Sequence, residues 1–206
     1  MSTFAAQYLA ETAQIAAALD VDAIERLVDA LVAVHHRRGR LFCLGLGGGA
    51  AYAAHAAHDF RHLAGLDAYA PTEATVSMTA YANDAGWDQM IVAWLRNHWL
   101  SWEDALFVFS VGGGTRDPGL SLPIVAALMA ARDGGVTILG IVGRDGGETA
   151  AWATACVIVP PVVPARVTAH TEGLQAVIWH LLVSHPKLKI ADPKWESLGT
   201  GYDRHS

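Results

Sequence analysis

The stretch from Leu41 to Gly65, LFCLGLGGGAAYAAHAAHDFRHLAG, restricts what this chain can fold into more than any other. Leu41 to Leu44 is a short apolar run of buried-strand type. It meets a turn, Gly45 to Gly49, in which Gly45, Gly47, Gly48 and Gly49 are glycine, and then an alanine-rich helical segment. Strand, glycine turn and helix in that order make an anion site. Glycines lack the Cβ that would keep a ligand off the backbone, and the first-turn N–H groups of the helix point outward with the positive end of its dipole behind them. His55 and Asp59 are four apart and share one face of that helix. A phosphate at the glycines with a His/carboxylate pair below it suits chemistry on a phosphorylated metabolite.

The rest of the chain repeats the unit. Asp104 precedes ALFVFSV, a nearly continuous apolar run as expected of a strand covered on both faces, and Gly112, Gly113 and Gly114 follow it, ahead of a helix opening at Ser121. Val136 to Val142 reads as a strand, Gly143 to Gly147 as a glycine turn, Glu148 to Trp152 as a short helix and Cys156 to Val159 as another strand. Three such units predict an α/β fold with a parallel, doubly wound (flavodoxin-like) sheet flanked by helices. Two amphipathic helices, 3–19 and 22–37, precede the sheet, with Asp20 and Asp22 as caps, Gly39 as the stop and the basic cluster His35 to Arg40 as a solvated end. Between the first two units, 66–79 reads as short strands or extended loop, and Asn83-Asp84 as the capped start of a helix containing Trp87, Met90, Ile91, Trp94 and Leu95. A last long helix spans Thr171 to Ser184, and an extended tail starts at Pro186.

The chain has 206 residues, enough for one domain (1–206) with an N-terminal helical region (1–38) and a C-terminal tail (186–206). Apolar residues make up 52% and charged residues only 17%, which suggests apolar surface hidden between subunits. A net charge of −6 supplies no basic field for nucleic acid. No apolar run approaches the roughly 20 residues that span a bilayer, and the N-terminus lacks the pattern of a secretion signal, so the expected location is the cytoplasm. Cys43 and Cys156 fall inside predicted strands and read as small core residues of a reducing compartment.

GLGGGA also fits a dinucleotide fingerprint, but that motif needs a second strand ending in an acid about 20 residues on. No convincing strand precedes Asp67, so no nucleotide cofactor is expected. Two glycine turns at the ends of neighbouring parallel strands instead converge on one phosphate, with Gly47, Gly48, Gly49, Ser110, Gly112, Gly113, Gly114 and Ser121 as its candidate ligands. Ser121 also caps its helix. His55, His58, Asp59 and His62 form a polar stripe, which by itself is more often a solvated surface than a site. On the last helix, Glu172 and His180 are eight apart, about 80° around the axis. A histidine inside LQAVIWHLLV needs a partner. Two histidines and two carboxylates, His55, Asp59, Glu172 and His180, fit a divalent metal of the zinc type or the acid and base of a proton transfer.

Taken together, GLGGG, His55-x-x-x-Asp59, Asn83-Asp84-x-Gly86, FSVGGG, the helix at Ser121, IVGRDGG and HTEGLQAVIWHLLVSH resemble the sugar isomerase (SIS) domain, specifically the phosphoheptose isomerase family, over about residues 40–186. The resemblance implies a cytoplasmic homotetramer with sites between subunits. It also implies aldose–ketose isomerisation of sedoheptulose 7-phosphate to D-glycero-D-manno-heptose 7-phosphate. His55, Asp59, Glu172 and His180 match the positions that bind zinc in several members. Asp59 stands at the catalytic base and His180 at the acid; Asn83, Asp84, Ser110 and Ser121 fall in substrate-binding motifs. The chain departs from the family pattern at position 49, where a serine is replaced by glycine, in the loop after Ser110, which carries an insertion, at Asp59 for Glu and at Glu172 for Gln. A non-catalytic sugar-phosphate sensor or adaptor, or an isomerase of another phosphosugar, are the competing expectations; retention of all four ionisable residues favours an enzyme.

Overall fold

The computed structural model describes residues 3–198. Five strands, β1 (Arg40–Gly45), β2 (Asp67–Tyr69), β3 (Ala105–Ser110), β4 (Thr137–Val142) and β5 (Ala155–Ile158), form one parallel sheet in the order β2-β1-β3-β4-β5. This is the flavodoxin-like doubly wound order that the repeated units predict. The chain reverses direction across the sheet between β1 and β3, and ligands in such folds bind in the crevice at the carboxyl ends of those two strands. Gly45 pairs with Phe109, so the two glycine turns leave the sheet at one level.

Strand residues bury alternate side chains on opposite faces. Leu41, Cys43, Phe107, Phe109, Leu139 and Ile141 pack under α2 (Val21–His36), α3 (Gly48–Ala64) and α8 (Val167–Ser184). Phe42, Leu44, Leu106, Val108 and Ile138 pack under α5 (Met90–Asn97) and α6 (Leu122–Asp133). α7 (Gly147–Trp152) joins β4 to β5, and α1 (Phe4–Ala17) precedes α2. Among the described residues no helix is long and apolar enough to cross a membrane.

Several local expectations are corrected. Residues 66–79 are not mainly extended: β2 takes three of them, and α4 (Thr75–Ala85) begins inside TVSMTA. The β-branched Thr75, Val76 and Thr79 favour strand by propensity, but no neighbouring edge pairs them, and α4 lies over a pocket of Met78, Ala82, Met90 and Ile91. Asn83 and Asp84 therefore close α4 rather than cap α5, whose N-cap is Gln89. The stop of α2 is Arg38, at φ +59°, and not Gly39. Gly39 is needed for a close approach, since a Cβ there would lie 1.8 Å from the Glu103 carbonyl oxygen. The basic cluster after α2 is partly structural: Arg37 donates to Glu103 O and Thr137 Oγ1, and Arg40 pairs with the buried Asp104 at 2.7 Å. The tail holds a helical turn, α9 (Lys194–Ser197), where extended chain is expected; the tail from 199 onward lies outside the described residues.

Candidate active site

α3 and α8 lie side by side against the same face of the sheet, and together they carry the ionisable residues. Asp59 Oδ2 is 3.5 Å from His55 Nε2 and 3.6 Å from His180 Nε2. The three ligating atoms all fall within 4.8 Å of one another. Asp59 is buried and the two imidazoles are exposed, so the cluster opens on one side. Trp179, fully buried, donates its indole N–H to the same Asp59 oxygen at 3.1 Å.

The tautomer of His180 follows from its other nitrogen. Nδ1 lies 2.7 Å from the Ala176 carbonyl, which can only accept, so Nδ1 carries the proton. The Nε2 lone pair of the neutral ring then faces a carboxylate oxygen, and a proton or a cation between them is what relieves the repulsion. Two imidazole nitrogens and one carboxylate oxygen suit zinc. With bonds of about 2.0–2.1 Å, a tetrahedral site sets its donors about 3.4 Å apart and leaves a fourth position for water or substrate. The residues present therefore fit such an ion.

Glu172 is not part of this cluster, contrary to the four-ligand expectation. A Cβ placed on Gly48 would meet its Oε1 at 2.5 Å, so this carboxylate lies against the glycine turn, two helical turns from His180. The partner expected for His180 is the buried Asp59, at 3.6 Å. His180 itself is exposed, while His170, Thr171 and Gln175 are the buried polar groups of α8. His58 and His62 lie against each other with rings tilted at 37° and centroids 5.1 Å apart, and stand apart from the cluster.

At the carboxyl ends of β1 and β3 a cavity of about 180 Å³ is lined by Gly49, Ser110, Val111, Gly112, Ser121, Glu172 and Gln175 among others. Gly47 enters α3 at φ +58°, a conformation that favours glycine. Gly49 allows α3 to close onto β3: a Cβ there would lie 2.4 Å from the Phe109 carbonyl oxygen. That contact gives a physical reason for glycine where the resembling family has serine. The N–H groups of Gly48, Gly49 and Gly112 bond no protein acceptor among the described residues, whereas that of Gly113 donates to Ser110 Oγ at 3.1 Å. Gly113 thus braces the turn from within. Ser121 occupies the N-cap position of α6 but at φ +58°, and its hydroxyl makes no capping bond, which corrects the expectation of a capping role.

A second cavity of about 680 Å³ adjoins the first through Val111, Gly112 and Ser121, and is lined by Gly114, Thr115, Asp117, Arg144 and Glu148 among others. Residues 114–121 form one side of it and residues 144–151 the other. Arg144, at φ +54°, runs its side chain past Gly112. Asn83 and Asp84 are exposed, bond each other at 2.8 Å and line neither cavity. Trp179 and Gln175 escape the sequence reading; a polar Gln175 within an apolar helical run was the available signal.

A flavodoxin-like sheet with two glycine turns at its switch point and an acid/imidazole cluster beside them defines a SIS-domain sugar-phosphate isomerase. No protein-family model matches the chain. It is 31% identical to a phosphoheptose isomerase of Methylococcus capsulatus over 88% of this chain and 89% of that one. It is 30% identical to a phosphoheptose isomerase of Roseiflexus sp., over 82% and 80%. The structure superposes on phosphoheptose isomerase from Neisseria gonorrhoeae with a TM-score of 0.75 at 24% identity, covering 87% of this chain and 96% of that one, a likeness of fold. The chain belongs to the phosphoheptose isomerase family.

Proposed function

We propose that the protein interconverts sedoheptulose 7-phosphate and D-glycero-D-manno-heptose 7-phosphate through an enediol. The observation that carries this is the placement of Asp59 Oδ2 between His55 and His180, on the two helices that flank the phosphate-sized cavity. The N–H groups of Gly48, Gly49 and Gly112 and the hydroxyls of Ser110 and Ser121 hold the phosphate; Gly47, Gly113 and Gly114 shape the turns that present them. His55 lies seven residues beyond Gly48 and His180 eight beyond Glu172, or about 10–12 Å along each helix. An extended sugar lies along that span with its carbonyl end at the cluster.

Asp59 Oδ2 is engaged by Trp179 and the imidazoles, so Oδ1 takes the proton from C1 of the ketose. The C–H electron pair becomes the C1–C2 double bond of the enediol as O2 gains a proton. His180 carries protons between O1 and O2, and Asp59 returns one to C2 to give the aldose. His55, Asp59 and His180 would hold a zinc ion, which when bound polarises the carbonyl and fixes the site. Glu172 belongs to the phosphate end of this scheme. Asn83 and Asp84 reach substrate only by a movement of α4.

The apolar Val177 and Leu181 are exposed on α8 beside the exposed His180, as are Phe4 and Leu9 on α1. These surfaces support a homotetramer in which neighbouring subunits cover the open side of each site. The metabolite substrate and the acidic surface charge are consistent with a cytoplasmic enzyme.

Turnover of sedoheptulose 7-phosphate in deuterated water tests the proposal. Deuterium at C2 of the aldose product is expected; absence of product with this ketose, together with turnover of another phosphosugar, would assign a different substrate.

A further inference from the structure

Gln175 is fully buried on α8, and its Nε2 donates to the Ile141 carbonyl at 2.8 Å. A carbonyl accepts only the N–H end of an amide, so this bond fixes which way the side chain faces. Its Oε1 is left as a buried oxygen with no hydrogen-bond partner, the one such side-chain atom among the described residues. Buried acceptors are nearly always paired, and an unpaired one calls for a donor that the protein itself does not supply.

The same residue lines the 180 Å³ cavity. One wall of that cavity offers donors, the N–H groups of Gly49 and Gly112 and the serine hydroxyls. The α8 wall offers the Glu172 carboxylate and Gln175 Oε1, which only accept. A phosphate dianion satisfies the first wall and repels the second. The cavity holds only about 180 Å³, so a substrate group that donates to α8 while the phosphate occupies it sits close to that phosphate.

We propose that Gln175 is a specificity-determining residue whose Oε1 accepts a hydrogen bond from the substrate hydroxyl on the carbon adjoining the phosphate-bearing carbon. The proposal rests on the reading of this cavity as the phosphate site. It makes the enzyme selective for sugar phosphates hydroxylated at that carbon. A site built around a buried acceptor discriminates strongly against the analogue that lacks the donor.

The test is calorimetric binding of two unreactive probes to the full chain: an acyclic polyol phosphate with a hydroxyl at that carbon, and its analogue deoxygenated there. Inorganic phosphate is the reference ligand. The wild type is expected to bind the hydroxylated probe at least about tenfold more tightly than the deoxy probe. Gln175→Met, which removes the acceptor, brings the ratio near one. Equal binding of both probes by the wild type overturns the proposal whether or not the variant folds, and so does a ratio that survives Gln175→Met. If neither probe nor inorganic phosphate binds, the phosphate site itself is misplaced, a result distinct from binding without discrimination.

Discussion

Trp179 donates its indole N–H to Asp59 Oδ2 at 3.1 Å, tying a fully buried side chain of α8 to the carboxylate of α3 around which the site is built. The bond holds one carboxylate oxygen toward the imidazoles, and in the proposed mechanism the other is the base. A hydrogen bond to a charged group is worth about 1.5–3 kcal/mol. Trp179→Phe should therefore lower kcat about ten- to a hundredfold with KM little changed, because the phosphate end is untouched. Asp59→Asn should remove turnover while the sugar phosphate still binds. Steady-state kinetics and calorimetry check both, and an Asp59→Asn protein with near-normal kcat would take Asp59 out of the mechanism.

Much of this was legible in the chain because its strands are covered on both faces. Leu41 to Leu44 and Ala105 to Phe109 read as continuous apolar runs, and glycine turns mark where each run ends. The helical spacing of His55 and Asp59 likewise depends only on local geometry. What failed was whatever long-range packing decides. Thr75, Val76 and Thr79 favour a strand, but a strand needs an edge to pair with, and α4 found a helical surface instead. Glu172 and His180 sit about 80° apart around one helix, close enough to suggest a shared site. Yet Gly48 lets the Glu172 carboxylate rest against the turn, and only the three-dimensional approach of α3 reveals that.

Metal content gives an independent check on the cluster. Protein purified without chelator should carry about one zinc per subunit, bound by His55, Asp59 and His180. His55→Ala should release most of it with little loss of stability, because the imidazole is more than half exposed and meets only the rings of Trp179 and His180, both at steep angles. Elemental analysis reads the content directly. A fully active enzyme free of metal would restrict the cluster to proton transfer.

Position 49 offers a test of close packing. Serine there would restore the residue of the resembling family, and a hydroxyl near the phosphate should help binding if space allowed. The structure denies that space, since a Cβ at 49 would lie 2.4 Å from the Phe109 carbonyl oxygen. Backbone must move to admit it, so Gly49→Ser and Gly49→Ala should each destabilise the protein by about 1–3 kcal/mol. Urea unfolding measures the loss. A Gly49→Ser protein as stable as the wild type, with tighter phosphate binding, would show that α3 stands farther from β3 than described.

The tie between α1 and α8 should set the acid limit of the fold. Glu11 is buried and accepts from Arg166 Nη2 at 2.6 Å and Nε at 2.8 Å, with His170 at 3.1 Å and Gln7 at 2.9 Å from its oxygens. The Arg166 guanidinium first, then His170 and Gln7, hold its carboxyl down from an ordinary 4.5 to about 2. Because the folded value lies below the unfolded one, the stabilisation is fully present above about pH 4.5 and is lost as pH falls toward 2. Thr12 at 3.4 Å and the stacked Tyr8 ring also face His170. Glu11→Gln should lower the melting midpoint at pH 6 and flatten its decline between pH 4.5 and 2, leaving the contribution of other carboxylates such as Asp104, which burial pushes up and Arg40 more than offsets, so that it too lies below its usual range. Thermal melts across that range decide the matter. An unchanged acid slope in Glu11→Gln would mean that α1 detaches from α8 before acid unfolding begins, and that the pair contributes nothing to the transition.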